Sequence, residues 1–378
     1  MVAYLFVLGM DLKVTIKNWM LPIAMIGGSS LYLIYNIMPE PVHRLGPILE
    51  SVVSFLQPLL IFSMLFLTFC QIQPKDLKPH RWHWWLLLIQ GGVFIILSLL
   101  AAGLIRWVPD CSPSWIVLIE SAMLCFICPT ATAAAVVTRK LKGDVPGITT
   151  YTVLINLLTA VLVPVMLPMI QDSSQTDFWI SFSMIMAKVF PLLITPCLAA
   201  WLVRSLLPRF YRRLMRYPDL AFYLWAIALT LAIAVTTKSI VASDMSVGLL
   251  FAMAGVSLLC CVVQFASGRI IGGCYRSAHG ARQDKDSSCD VISSCEVNKV
   301  TAGQSLGQKN TVFAIWMAYT FMTPETAIIG PFAYILCQLF NRIYHEYIAV
   351  LFPSIFLRKH SSVKNKSIYH LCVGRIVT

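Results

Sequence analysis

The 378 residues are 58% hydrophobic and only 12% charged, with a mean hydropathy of +0.76 and a net charge of +12. A soluble globular domain of this length does not reach such a hydropathy. A transmembrane barrel would read as alternating segments of about ten residues, whereas this chain shows continuous apolar runs of about twenty, the length a helix needs to cross a bilayer. The class is an all-α polytopic membrane protein, with no stretch outside the spans long enough for a second domain.

Residues 1–17 read as an N-terminal leader. The run Val2 to Met10 is apolar but too short to span, and it lacks the basic start and cleavage site of a secretory signal, so it is expected to lie on the membrane surface. Ten spans are expected near 18–38, 51–70, 84–105, 115–138, 147–170, 178–203, 220–237, 246–268, 303–323 and 327–345. They fall into two sets of five, 18–170 and 178–345, the second containing a polar loop at 276–299. A basic tail at 346–378 is expected against anionic headgroups.

The basic residues test this map, because short cytoplasmic loops are enriched in Arg and Lys. If alternate loops are assigned to one side starting with the N-terminus, and Arg342 near the end of the tenth span is counted with the tail, 24 of the 29 Lys and Arg residues fall there. Three (Arg44, Arg106 and Lys238) fall on the other side, and Lys188 and Lys309 lie inside spans. Ten helices with both termini cytoplasmic fit this alternation. The positive charge thus belongs to a membrane topology and not to a nucleic-acid partner. Five crossings end on the side opposite the start, so two five-helix repeats must be inverted relative to each other.

Two spans are interrupted at corresponding places. The fourth carries Cys128-Pro129-Thr130-Ala131-Thr132, where Pro129 removes a backbone donor. The ninth carries Gly303 through Ser305, Gly307, Gln308, Lys309 and Asn310, where two glycines weaken the helix. Unwinding at both places would leave backbone groups facing a cavity; a proline kink and a small-residue packing face are the alternatives. Lys309 is the most informative residue, since an ionisable side chain inside a span is costly unless a partner, cavity or ligand compensates it. The alternatives are snorkelling or pairing with one buried carboxylate.

Other polar positions in the spans divide by context. Thr130 and Thr132 beside Pro129 place hydroxyls and free backbone groups where a substrate carboxylate could be met. Glu120 and Lys188 read as snorkelling to a span end. Asn156, Thr159, Gln264, Gln338 and Asn341 read as helix-to-helix bonds. His80 and His83 flank Arg81 at an expected cytoplasmic edge and read as solvated, and Trp82, Trp84 and Trp85 as lipid-facing and interfacial. The cysteines are scattered, and Cys289 and Cys295, in the polar loop, lack zinc-site spacing.

The block from Cys128-Pro129 through Val136-Val137-Thr138 to Lys142-Gly143-Asp144, with the span Thr149 to Pro168, resembles the fourth and fifth helices of the bile acid:sodium symporter family. The run ending Asn310-Thr311, then Phe313-Ala314, is similar to that family's second broken helix. The resemblance covers about residues 18–345. It implies a bacterial-type member with ten helices in two inverted five-helix repeats, core and panel domains, and broken helices four and nine crossing at the substrate and ion site. Members are secondary transporters of organic anions such as bile acids, steroid conjugates and small carboxylates.

The departures are chemical. By register, Ala134 and Ala135 stand where sodium-coupled relatives carry a Ser-Asn pair, Ser305 where they carry Glu, and Lys309 where they carry Gln, while Asn310 is kept. Gln90 and Thr152 match ligand positions. Methyl groups do not ligate a hard cation, which takes several oxygens, so the resemblance implies a sodium site replaced by Lys309. The expected function is a secondary active transporter of a small organic anion, not sodium-coupled, without a prosthetic cofactor, in a bacterial inner membrane. Lys309 would act either as a tethered cation or as a group that takes up and releases H+ in each cycle. The alternatives are a sodium-coupled symporter and a non-transporting sensor or scaffold on the same fold. No His-rich span, paired intramembrane Asp residues or Gly-x-Ser-x-Gly turn points to an enzyme, and no filter element to a channel.

Overall fold

A computed structural model describes residues 12–108, 112–170, 177–217, 219–243, 245–275 and 288–328. Among them the regular structure is helical: α1 Leu12–Ile37, a short α2 Glu40–His43, α3 Gly46–Cys70, α4 Arg81–Trp107, α5 Pro113–Ile127, α6 Ala134–Lys140, α7 Val145–Met166, α8 Phe178–Leu206, a short α9 Pro208–Leu214, α10 Leu220–Ala242, α11 Val247–Cys274, α12 Ser288–Gly307 and α13 Thr311–Phe321. Six of these are long and apolar enough to cross a membrane: α3, α4, α7 with its extension to Met169, α8, α10 and α11. The expected first to ninth spans all fall on helices. The tenth, 327–345, lies outside the described residues except for its first two, which close a 3-10 turn, Pro324–Ile328. The leader up to residue 11, the tail 346–378, Gln338 and Asn341 lie outside them too.

Local chemistry explains the boundaries. A proline opens α5, and another stands in the first turn of α7, where a missing amide hydrogen costs nothing. Ser246 caps α11 by accepting from the amide of Leu249 at 3.2 Å. The stop after α6 is a Schellman turn: the amide of Gly143 donates to Thr138 O at 2.8 Å and that of Lys142 to Arg139 O at 3.1 Å. Lys142 takes a left-handed φ of 59° in the place glycine usually fills. Gly143 must be glycine for another reason, since a Cβ there would come within 2.5 Å of Thr138 Cγ2.

The helices pack in two groups. In one, α10 lies on α1 and on α3, and α3 on α8; in the other, α4 packs on α5 and α7, and α11 on α5 and most extensively on α12. The α7–α8 pairing and the contacts of α10 with α13 join them. Glycines bring α11 close to α12, where a Cβ on Gly272 would meet Asn298 O at 2.4 Å and one on Gly268 would meet Ala302 O at 2.5 Å. Large apolar side chains cover the outer faces, among them Phe55 and Phe251, both more than two-thirds exposed. On helices of this hydropathy that is the face a bilayer covers.

Several expectations are corrected. The second part of the polar loop, 288–299, is helix, so Cys289 and Cys295 ride on α12. The charges of this stretch hide a helix that from Asn298 on packs against glycines of α11. His83 is wholly buried and not solvated: its Nδ1 accepts from the His80 amide at 2.8 Å and its Nε2 sits 3.0 Å from Gly147 O. Trp82 is buried beside it, while Trp84 and Trp85 are exposed as expected. Glu120 is buried and does not snorkel; its partners are described below. Lys188 is exposed, with its ammonium 5.7 Å from the centroid of the Phe321 ring.

Candidate functional site: the crossing of two broken helices

The fourth span breaks between α5 and α6, at Cys128 to Ala133, and the ninth between α12 and α13, at Gln308 to Asn310. The two breaks lie against each other as a single antiparallel bridge, Thr130 to Lys309. The amide of Ala131 donates to Gln308 O at 3.0 Å and that of Asn310 donates to Pro129 O at 2.9 Å. Thr130 adds a third tie, its hydroxyl donating to Ser305 O at 2.8 Å. Backbone groups that each helix lost by breaking are thereby satisfied by the other, as a buried chain inside a membrane requires.

A helix leaves its last four carbonyls without partners. At the end of α5 these are Cys125, Phe126, Ile127 and Cys128, and each meets a side chain from a different element. Gln264 Nε2 of α11 donates to Cys125 O at 3.2 Å, and Thr159 Oγ1 of α7 to Ile127 O at 2.9 Å. Gln90 Nε2 of α4 donates to Cys128 O at 3.0 Å. Lys309 Nζ takes Phe126 O at 3.4 Å. The ammonium therefore stands at the negative end of the α5 dipole, where a cation is most favourable.

The residues singled out in the sequence are distributed as follows. Pro129, Thr130, Ser305, Gln308, Lys309 and Asn310 meet at the crossing, all but Pro129 through the bonds above or through their own buried side chains. Asn310 also opens α13, its Oδ1 accepting from the Phe313 amide at 3.2 Å. Gln90 is drawn in from α4, and its Oε1 is already bonded by the Tyr151 hydroxyl at 2.8 Å. Thr152 is not brought into the crossing by any bond of its side chain: its hydroxyl turns back to Ile148 O at 2.9 Å. Thr132 is half-buried just after the bridge. Ala134 is wholly buried in a small apolar cluster with Ala131 and Ile148, and Ala135 packs against it.

Tyr151 is a site neighbour that sequence reasoning missed, while Thr159 and Gln264 do make the cross-helix bonds expected of them. Asn156 instead bonds within its own helix, Nδ2 to Thr152 O at 2.7 Å. Around the bridge, four buried polar atoms have no hydrogen-bond partner among the described residues: Ser305 Oγ, Gln308 Nε2, Asn310 Nδ2 and Thr311 Oγ1. Two are amide donors and two are hydroxyls able to donate.

Residues 58–243 match the model of the Sodium Bile acid symporter family, a stretch that runs from within α3 to the end of α10 and includes the fourth-span break. None of the curated proteins matches the chain. The matched stretch carries Gln90, Cys128 to Thr132, Ala134 and Thr159, half of the crossing, and the remaining half is bonded to it through Gln308 and Asn310. Just under half of the chain, with the fourth-span break inside it, thus matches the sodium bile acid symporter family, a family of membrane transporters.

Proposed function

We propose that the protein is a secondary transporter of an organic anion that works without sodium at the crossing, Lys309 supplying the positive charge there as a tethered cation. The observation that carries this reading is the Lys309 ammonium capping Phe126 O at the end of α5. Three further features support it. The Ala134 and Ala135 positions are packed with Ile148 and offer a cation no side-chain oxygen. Gln90, a kept position, already uses both ends of its amide on Tyr151 and Cys128. The unbonded donors of Gln308 and Asn310, with the hydroxyls of Ser305 and Thr311, suit a carboxylate or similar oxyanion next to a fixed positive charge.

In this reading the chain crosses a bacterial inner membrane ten times in two inverted repeats with cytoplasmic termini, in keeping with the distribution of Arg and Lys. Alternating access is movement of the group holding the crossing against the group α1, α3, α8 and α10. Uptake of candidate bile acids, steroid conjugates and small carboxylates into right-side-out vesicles tests it, under a sodium gradient, a pH gradient or neither. Flux that ignores sodium is expected. A strict sodium requirement would defeat the proposal, and ligand-dependent stabilisation without flux would make the protein a sensor.

A further inference from the structure

We propose that Glu120 is a proton-binding site that links the outer ends of the two broken helices, separate from the crossing. Glu120 stands seven residues into α5, about 10 Å along the helix, and is buried. Its Oε2 accepts from Thr323 Oγ1 at 2.7 Å and from the Thr323 amide at 3.4 Å, while Thr326 Oγ1, which donates to Thr323 O, lies 3.5 Å away. Thr323 follows the last turn of α13 and Thr326 lies in the 3-10 turn beyond it. A carboxylate on one half-helix thus holds the end of the other, 203 residues away.

The chemistry points to a proton. Every bond to the carboxylate among the described residues comes from a neutral donor, and no ion pair is formed with it there. Glu325, in the same 3-10 turn as Thr326, has the same sign of charge. The elements packed on α5 add Arg106 at the exposed end of α4, Tyr319 on α13, and Cys260 and Cys261 on α11, none of them bonded to Glu120. An uncompensated carboxylate within a membrane is costly. The smallest cation that relieves it is a proton, which adds to one carboxyl oxygen and breaks no bond. The oxygens of Glu120, Thr323 and Thr326 stand at hydrogen-bond distances, with the two hydroxyls 3.1 Å apart, the spacing of a shared proton network. With the proton bound, the carboxyl becomes a donor as well as an acceptor, and the bond from the Thr323 amide weakens.

This rests on the transporter reading only for the use made of the proton, so the test reads proton binding directly. Infrared difference spectra of the purified full chain, titrated with acid and base, are recorded for wild type, Glu120→Gln and Thr323→Val, together with amide exchange over 321–328. The expected result is one protonated-carboxyl band, isolated by subtracting the E120Q spectra from those of wild type so that the chain's other carboxyls cancel, that T323V retains at a displaced frequency and midpoint and that sodium at fixed pH leaves unchanged. Amide exchange at the end of α13, corrected for intrinsic rates, rises as the band grows in wild type and is flat in E120Q. Wild-type and E120Q spectra that subtract to nothing, or a difference band that follows sodium at constant pH, overturn the proposal. Protein that transports but shows no such band counts against Glu120 alone, and protein with the band but no flux counts against the transporter reading alone.

Discussion

Lys309 Nζ lies 3.4 Å from the carbonyl oxygen of Phe126, in the last turn of a helix 183 residues earlier. Replacing the ammonium by Lys309→Met removes a charged donor from a buried helix end. A loss of about 1–3 kcal/mol is expected, the cost of leaving a buried acceptor unmade. Thermal unfolding of the purified protein at constant pH reads it, and sodium is expected to give no recovery.

The other caps on the α5 terminus allow a graded test. Thr159→Val and Gln264→Leu each orphan one carbonyl and are expected to cost about 1–2 kcal/mol. Gln90→Leu also strips the Tyr151 hydroxyl of its acceptor and is expected to cost more than either. Unfolding midpoints ranked in that order support the capping account. Equal losses would show that cavity formation and not carbonyl satisfaction dominates.

The α11–α12 contact predicts opposite effects at two kinds of glycine. Gly272→Ala drives a methyl group into Asn298 O and is expected to destabilise by about 1–3 kcal/mol. Gly255→Ala on the same helix meets nothing within 4 Å and is expected to be neutral or to stabilise by up to about 1 kcal/mol, since alanine is the better helix former. Stability in detergent distinguishes them, and equal effects would remove the close approach as an explanation.

His83 gives a fourth test. Its two ring nitrogens join the His80 amide and Gly147 O, tying the start of α4 to that of α7. His83→Phe keeps the ring and loses both bonds, with an expected cost of about 1–3 kcal/mol. A substitution with no effect on unfolding would return His83 to the solvated role that its polar neighbours suggest.

The breaks were legible because Pro129, Gly303 and Gly307 interrupt apolar runs that are otherwise uniform, and Lys309 because a charge inside such a run has few explanations. The caps on α5 were not, since Gln90, Thr159, Gln264 and Lys309 come from four separate elements and no local pattern ties them to one terminus. Glu120 read as snorkelling for a related reason: its hydroxyl partners sit beyond α13, far along the chain. His83 was misread because His, Arg and Trp together resemble an interfacial belt, and burial depends on whether a neighbouring helix covers that face. The first part of α12 was taken as loop because 288–299 is rich in polar and charged residues, and the glycine-matched contacts that seat the helix on α11 begin only at Asn298.

The paired amides of Ala131 and Asn310 carry an evolutionary consequence. Each is spent on a carbonyl of the opposite break, so a mutation that healed one interruption into continuous helix would strand the other's polar backbone in an apolar surround. Lineages of this protein should therefore gain or lose the two interruptions jointly, with single reversions purged and double ones tolerated.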